Sequence, residues 1–157
     1  MRRIKKKGTD VPLSIDFKAG DRIIINGAVV ENLGSNSKIS VHNQAAILRG
    51  KEILSAENTT TPASRIYFAL QCAYIFPQKE NEYIGSFRGL LDDYVTACPS
   101  AATIADEIRG LVDAGQLYRG LKTAQKLIGH EGELLHSLEE ELVEENDTPS
   151  ELGVGVD

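Results

Sequence analysis

Residues 20–34 read GDRIIINGAVVENLG, and the architecture of the first half of the chain turns on them. Asn26-Gly27 is the strongest short hairpin signal, because both residues accept the positive φ of a type I′ turn. The flanks then pair as strands, Arg22 to Ile25 with Ala28 to Asn32. Successive side chains of a strand face opposite sides of the sheet, so three isoleucines in a row load both faces with apolar groups. One face can take helices. The second needs another sheet, a barrel closure or a second chain.

Working outward, Leu13, Ile15 and Phe17 alternate with Ser14, Asp16 and Lys18, the period of a strand with one wet face. Ala19-Gly20-Asp21 supplies a turn, as does Gly34-Ser35-Asn36-Ser37. Lys38 to His42 alternates again, and a last strand from Ala46 to Arg49 ends at Gly50. Five short antiparallel strands can curl into a small barrel or sandwich. Ile23, Ile24, Ile25, Val29 and Val30 nevertheless supply more apolar surface than five short strands need inside, which favours a homodimer through the β unit as the cover.

After Ser55 the apolar period changes from 2 to 3.6. Thr61-Pro62 reads as an N-cap with proline at the first helical position. Ile66, Leu70 and Ala73 share one face of a helix that stops at Phe76-Pro77. Ile84, Phe87, Leu91, Tyr94 and Cys98 follow, up to Pro99. Ser100 can cap a third helix carrying Ile104, Ile108, Leu111 and Val112 and closing at Gly115. In the fourth, Leu117, Leu121, Ala124, Ile128, Leu135, Leu138 and Leu142 keep heptad spacing, with Glu131 on the seam between Gly129 and Gly132. A continuous coiled coil is one reading. The glycines and the buried-position carboxylate favour a break there, with a second amphipathic segment from Glu133 to Val143.

The expected fold is therefore α+β, a small antiparallel β barrel or sandwich of about five strands followed by about four helices. Its parts are a basic extension (residues 1–10), a β unit (11–56), a helical unit packed on it (57–143) and a disordered acidic tail (144–157).

At 157 residues with 41% apolar content the chain can bury a core. Cys72 and Cys98 are too few for a disulfide scaffold or for a zinc site of about four ligands. No apolar run approaches the roughly 20 residues of a membrane span, and the basic start lacks the apolar segment of a secretory signal, so the expectation is a cytoplasmic protein. The net charge of −6 conceals an asymmetry. Residues 1–76 carry eleven Lys and Arg against six Asp and Glu, whereas residues 139–157 carry none against eight. An acidic whole-chain balance thus says little about a nucleic-acid partner for the basic half.

No nucleophile elbow, P-loop, dinucleotide fingerprint or zinc-protease motif occurs, so no catalytic residue, metal ligand or cofactor is expected. His136 lies six residues after His130, away from its helical face. His42 reads as an exposed strand histidine, and Cys72 and Cys98 as inert thiols on core-facing positions. What remains is a basic set on and around the strands: Lys18, Arg22, Lys38, Arg49, Lys51 and Arg65. Such residues bind backbone phosphates, and they equally protect strand edges from aggregation. Charge alone leaves both readings open. If the partner is RNA, Arg22, Arg49 or the ring of Tyr67 could add stacking on unpaired bases.

Four stretches, LSIDFKAGDRIIINGAVVEN, AILRGKEIL, TPASRIYFALQ and AGQLYRGLKTAQKLI, in that order over residues 12–130, resemble the FlbT family of flagellar-biosynthesis regulators. The resemblance implies a non-enzymatic, RNA-binding post-transcriptional repressor that binds the 5′ untranslated region of flagellin mRNA and promotes its decay. It also implies a functional link to the companion flagellar regulator FlaF, which has the opposing effect. Family members tend to begin near Pro12, which makes residues 1–10 an extension and Val11 a candidate natural start. A reading of another class is a flagellin or secretion chaperone, in which GQLYRGLKTAQKLI acts like one unit of a helical-hairpin repeat that grips another helix.

Overall fold

The computed structural model describes residues 12–147. Five strands come first: β1 (Leu13–Phe17), β2 (Arg22–Ile25), β3 (Ala28–Glu31), β4 (Ser37–Val41) and β5 (Ile47–Arg49). Four α-helices follow: α1 (Pro62–Ile75), α2 (Glu80–Ala97), α3 (Ala102–Asp113) and α4 (Leu117–Asp147). The expected α+β order is thus present. The strands form two antiparallel sheets, β1-β4 and β3-β2-β5, with no closure into a barrel.

The hairpin turn is as the sequence dictates, with φ of 51° at Asn26 and 85° at Gly27. An added Cβ at Gly27 would stand 2.8 Å from Phe76 Cε1 and 3.3 Å from the Ile75 carbonyl. Gly27→Ala should therefore cost about 1–2 kcal/mol of stability through the left-handed backbone, and more if Phe76 cannot move. A chemical-denaturation midpoint unchanged by the substitution would contradict that.

The three isoleucines divide between two layers. Ile24, paired with Leu48 across β2-β5, joins one apolar cluster with Ile66, Leu70, Phe87 and Ile108 of the helices. Ile23 is equally buried but outside that cluster, as are Ile15 and Phe17 of β1. Ile47 and Arg49 of β5 share a cavity wall with Leu13 and Ile15, which sets β1 over the side of the sheet that carries Ile23. With Ile23 at 2% and Ile24 at 6% exposure, β1 on one side and helices on the other cover both faces inside a single chain. Neither isoleucine face needs a second copy. Among the described residues, the large apolar side chains left exposed in the β unit are Val29, Val30 and Leu33, on and after the edge strand β3.

Helix α1 begins on Thr61, whose hydroxyl accepts from Ser64 N–H while the Ser64 hydroxyl accepts from Thr61 N–H. Pro62 has no N–H to satisfy, and Arg65 N–H donates to the Thr61 carbonyl. That leaves Ala63 N–H, which donates at 2.9 Å to Oε2 of Glu131, near the middle of α4. Every orphan donor of the first turn is thereby used.

This bond corrects the expected break in the fourth helix. α4 is continuous through Gly129 and Gly132, because its buried face of Leu117, Leu121, Ala124, Leu127 and Glu131 runs across them against α1 and α3. The seam carboxylate is a cap for another helix, and packing offsets the roughly 1 kcal/mol that each glycine costs. A second correction concerns Ser100. It lies in a short 3₁₀ turn before α3, which starts without a side-chain cap. Gly115 does close α3, with φ of 73°. Residues Glu144–Asp147, expected in the disordered tail, are helical and exposed, while the extension, Val11 and the rest of the tail lie outside the described residues.

Candidate nucleic-acid interface

The structure separates the basic residues into two groups. Arg22 stands opposite Glu31 across β2-β3 with 3.6 Å between charges, and Lys38 opposite Asp16 across β1-β4 at the same distance. These are cross-strand pairs on exposed surfaces, the arrangement that supports a sheet and guards its edge. Lys18, Arg49, Lys51 and Arg65 are exposed, and among the described residues no ion pair engages them. Arg65 lines a groove at the start of α1, whereas Arg49 lines a different cavity at the junction of strands and helices. The seven residues singled out from sequence therefore do not form one patch.

The cavity at Arg49 has a volume of about 330 Å³, at the small end of ligand sites. Leu13 and Ile15 of β1, Ile47 of β5, Glu52, Tyr74 and Tyr118 are among its walls. The ring centroids of Tyr74 and Tyr118 are 5.8 Å apart, and Ile47 N–H donates to the Tyr74 hydroxyl. Lys122 Nζ lies 3.1 Å from Glu52 Oε2 and 5.6 Å from the centre of the Tyr118 ring. Lys51, two residues beyond Arg49, sits in the 3₁₀ turn that leads away from β5. Cation, carboxylate and half-buried Tyr118 thus meet at one opening.

Tyr67 requires a correction. It is 2% exposed, and its hydroxyl donates to the Glu52 carbonyl. Burial pushes its phenol up to about 12. Its ring offers no face for a base to stack upon, whereas Tyr118 is half-buried and lines the same cavity as Arg49. Tyr74 and Tyr118 were legible only as helix-face aromatics, since nothing in their spacing brings either to β5.

GQLYRGLKTAQKLI is likewise used within the fold. Leu117, Gly120, Leu121, Ala124 and Leu127 are buried, so this stretch grips α1 and α3 rather than a free helix from outside. His130 is held between Tyr94, whose hydroxyl is 3.0 Å from Nδ1, and Ser100, 2.9 Å from Nε2. Among the described residues no cluster could hold a metal. His42 is exposed, Cys98 half-buried, and Cys72 buried with its thiol pushed up by that burial.

Comparison with known proteins gives these features a family. The model for "Flagellar protein FlbT" matches residues 13–135. The chain is 36% identical over 123 residues to the probable flagellum biosynthesis repressor protein FlbT 1 of Bradyrhizobium diazoefficiens, covering 78% of this chain and 84% of that protein. It is 32% identical over 128 residues to the probable repressor FlbT of Rhodopseudomonas palustris strain TIE-1, covering 80% and 98%. It is 30% identical over 127 residues to the flagellum biosynthesis repressor protein FlbT of Caulobacter vibrioides strain ATCC 19089, covering 80% and 90%. No solved structure matches the chain. Matched from β1 into α4, and similar to these relatives along most of both chains, the protein belongs to the FlbT family of flagellar proteins.

Proposed function

We propose that this protein is an RNA-binding post-transcriptional repressor of flagellin synthesis. It acts in the cytoplasm on the 5′ untranslated region of flagellin mRNA, promotes decay of that message, and works against FlaF. The names of its relatives, flagellum biosynthesis repressors, support the repressive role. No helix among the described residues is long and apolar enough to cross a membrane.

The observation that carries RNA as the target is the pair Arg49 and Lys51, exposed cations two residues apart with no ion pair among the described residues, the first lining a cavity that Tyr118 also lines. Proteins that read single-stranded RNA combine phosphate contacts with stacking on aromatic or guanidinium planes. Arg49 and Lys51 supply the first and Tyr118 the second. Arg22, Lys38, Lys18 and Arg65 are further phosphate contacts, the first two only when released from weak exposed ion pairs.

The test is a salt titration of binding to a flagellin leader RNA and to an unrelated RNA of equal length. Arg49→Ala with Lys51→Ala should weaken leader binding and make the log-log salt slope shallower by about 1.4, two phosphates' worth on single strands. Helical circular dichroism should stay unchanged, both side chains being exposed. An unaltered slope would move the interface away from β5.

A further inference from the structure

The second half of α4 carries an apolar surface that nothing among the described residues covers. Every residue from Leu135 to Asp147 is exposed. Within that span Leu135, Leu138 and Leu142 recur at three and four residues, at 51%, 54% and 59% exposure. Three large leucines on one stripe are more than scattered surface hydrophobics require. The stripe also continues into a groove. Leu134, Leu135 and Leu138 form one wall of a cavity of about 560 Å³ whose other wall is Leu90 and Ala97 of α2, with the start of α1 at its base. From Ile128 to Leu142 the ledge is about 21 Å long, the length of a four-turn helix.

The charge around the ledge selects the occupant. Residues 131–147 hold eight Asp and Glu and neither Lys nor Arg. Taking Leu135 and Leu142 as a positions and Leu138 as d, Glu139 and Glu141 occupy the flanking e and g positions that choose coiled-coil partners. A second copy would align two such acidic runs along one seam, and like charges set against each other select against that pairing. A helix rimmed by Lys and Arg meets the same ledge with complementary charge.

We propose that the ledge between α2 and the second half of α4 seats an amphipathic helix of a partner protein, apolar on one face and flanked by Lys and Arg. The seat lies apart from Arg49 and its cavity but includes Arg65, so RNA at the strands and a protein at the helices would share only that residue. Glu131 lines the groove and also caps α1, tying the floor of the seat to both helices.

The test uses the full chain and three labelled 18-residue synthetic peptides read by fluorescence anisotropy. The first has Leu at a and d with Lys at e and g, the second replaces Lys with Glu, and the third scrambles the first so that no apolar face forms. The Lys-flanked peptide should bind at least about tenfold tighter than either control. Leu135→Asp with Leu138→Asp should abolish that preference without altering the circular dichroism, since both side chains are exposed. Equal binding of the scrambled peptide, or binding indifferent to the double substitution, would overturn the proposal. So would sedimentation of the unaltered chain as a dimer that Leu138→Asp alone dissolves, because the seat would then belong to a second copy.

Discussion

Ile24→Asp should leave little soluble protein, with a loss of about 3–5 kcal/mol, the cost of an unpaired charge in a packed interior. Ile24 is 6% exposed, sits on the central strand of its sheet and packs within the helical cluster. A carboxylate there has no cation within the cluster and no path to water. The alternative expected from sequence, a folded monomer released from a dimer, requires Ile24 to lie on an open face, and it does not. The checks are expression in the soluble fraction and, for any protein recovered, the denaturation midpoint. Recovery of a folded chain with native-like circular dichroism would show that the face of β2 carrying Ile24 reaches solvent, against the packing described above. Val29→Asp is the matched control. Val29 is paired directly with Ile24 but 66% exposed, so its replacement should fall within about 0.5 kcal/mol.

Glu131→Ala is expected to cost about 1.5–3 kcal/mol, the loss of a buried hydrogen bond to a charged group. Its carboxylate accepts from Ala63 N–H, 68 residues away in sequence, and that donor has no other partner in the first turn of α1. Glu131→Gln keeps an acceptor and should recover most of the stability, while Glu131→Leu suits the heptad pattern and should not. That last comparison separates two roles. If position 131 were simply an apolar seam position filled awkwardly, leucine would stabilise the protein. Thermal unfolding of the three variants decides, and a more stable leucine variant would remove the capping role.

Much of the fold was legible because its signals are local. Asn26-Gly27 imposes a hairpin by backbone sterics alone, and Thr61-Pro62 starts a helix through a side chain three residues from its partner. The strand order along the chain and the helices through Ile66, Phe87 and Ile108 followed from period. Where the reading failed, the partner was distant. Ser100 is a sound cap by type, but its hydroxyl meets His130, which no local rule brings near. Tyr67 and Tyr118 are both helical tyrosines, and only packing decided that the first is buried and the second stands at an opening.

The same division holds for function. Arg22, Lys38, Arg49 and Lys51 read alike as strand or turn cations, yet cross-strand register pairs the first two with carboxylates and leaves the others without an ion pair among the described residues. The amino-acid sequence by itself determined the hairpin, the α+β order, the amphipathic period of α4 and, through its matched stretches, the family. Tertiary structure alone decided which of two apolar faces of β2 meets helices and which meets β1, and which half of α4's leucine stripe is covered. The reason is physical: periodicity records that a side chain needs a neighbour, but the neighbour is chosen by segments far along the chain, whose approach no local spacing encodes.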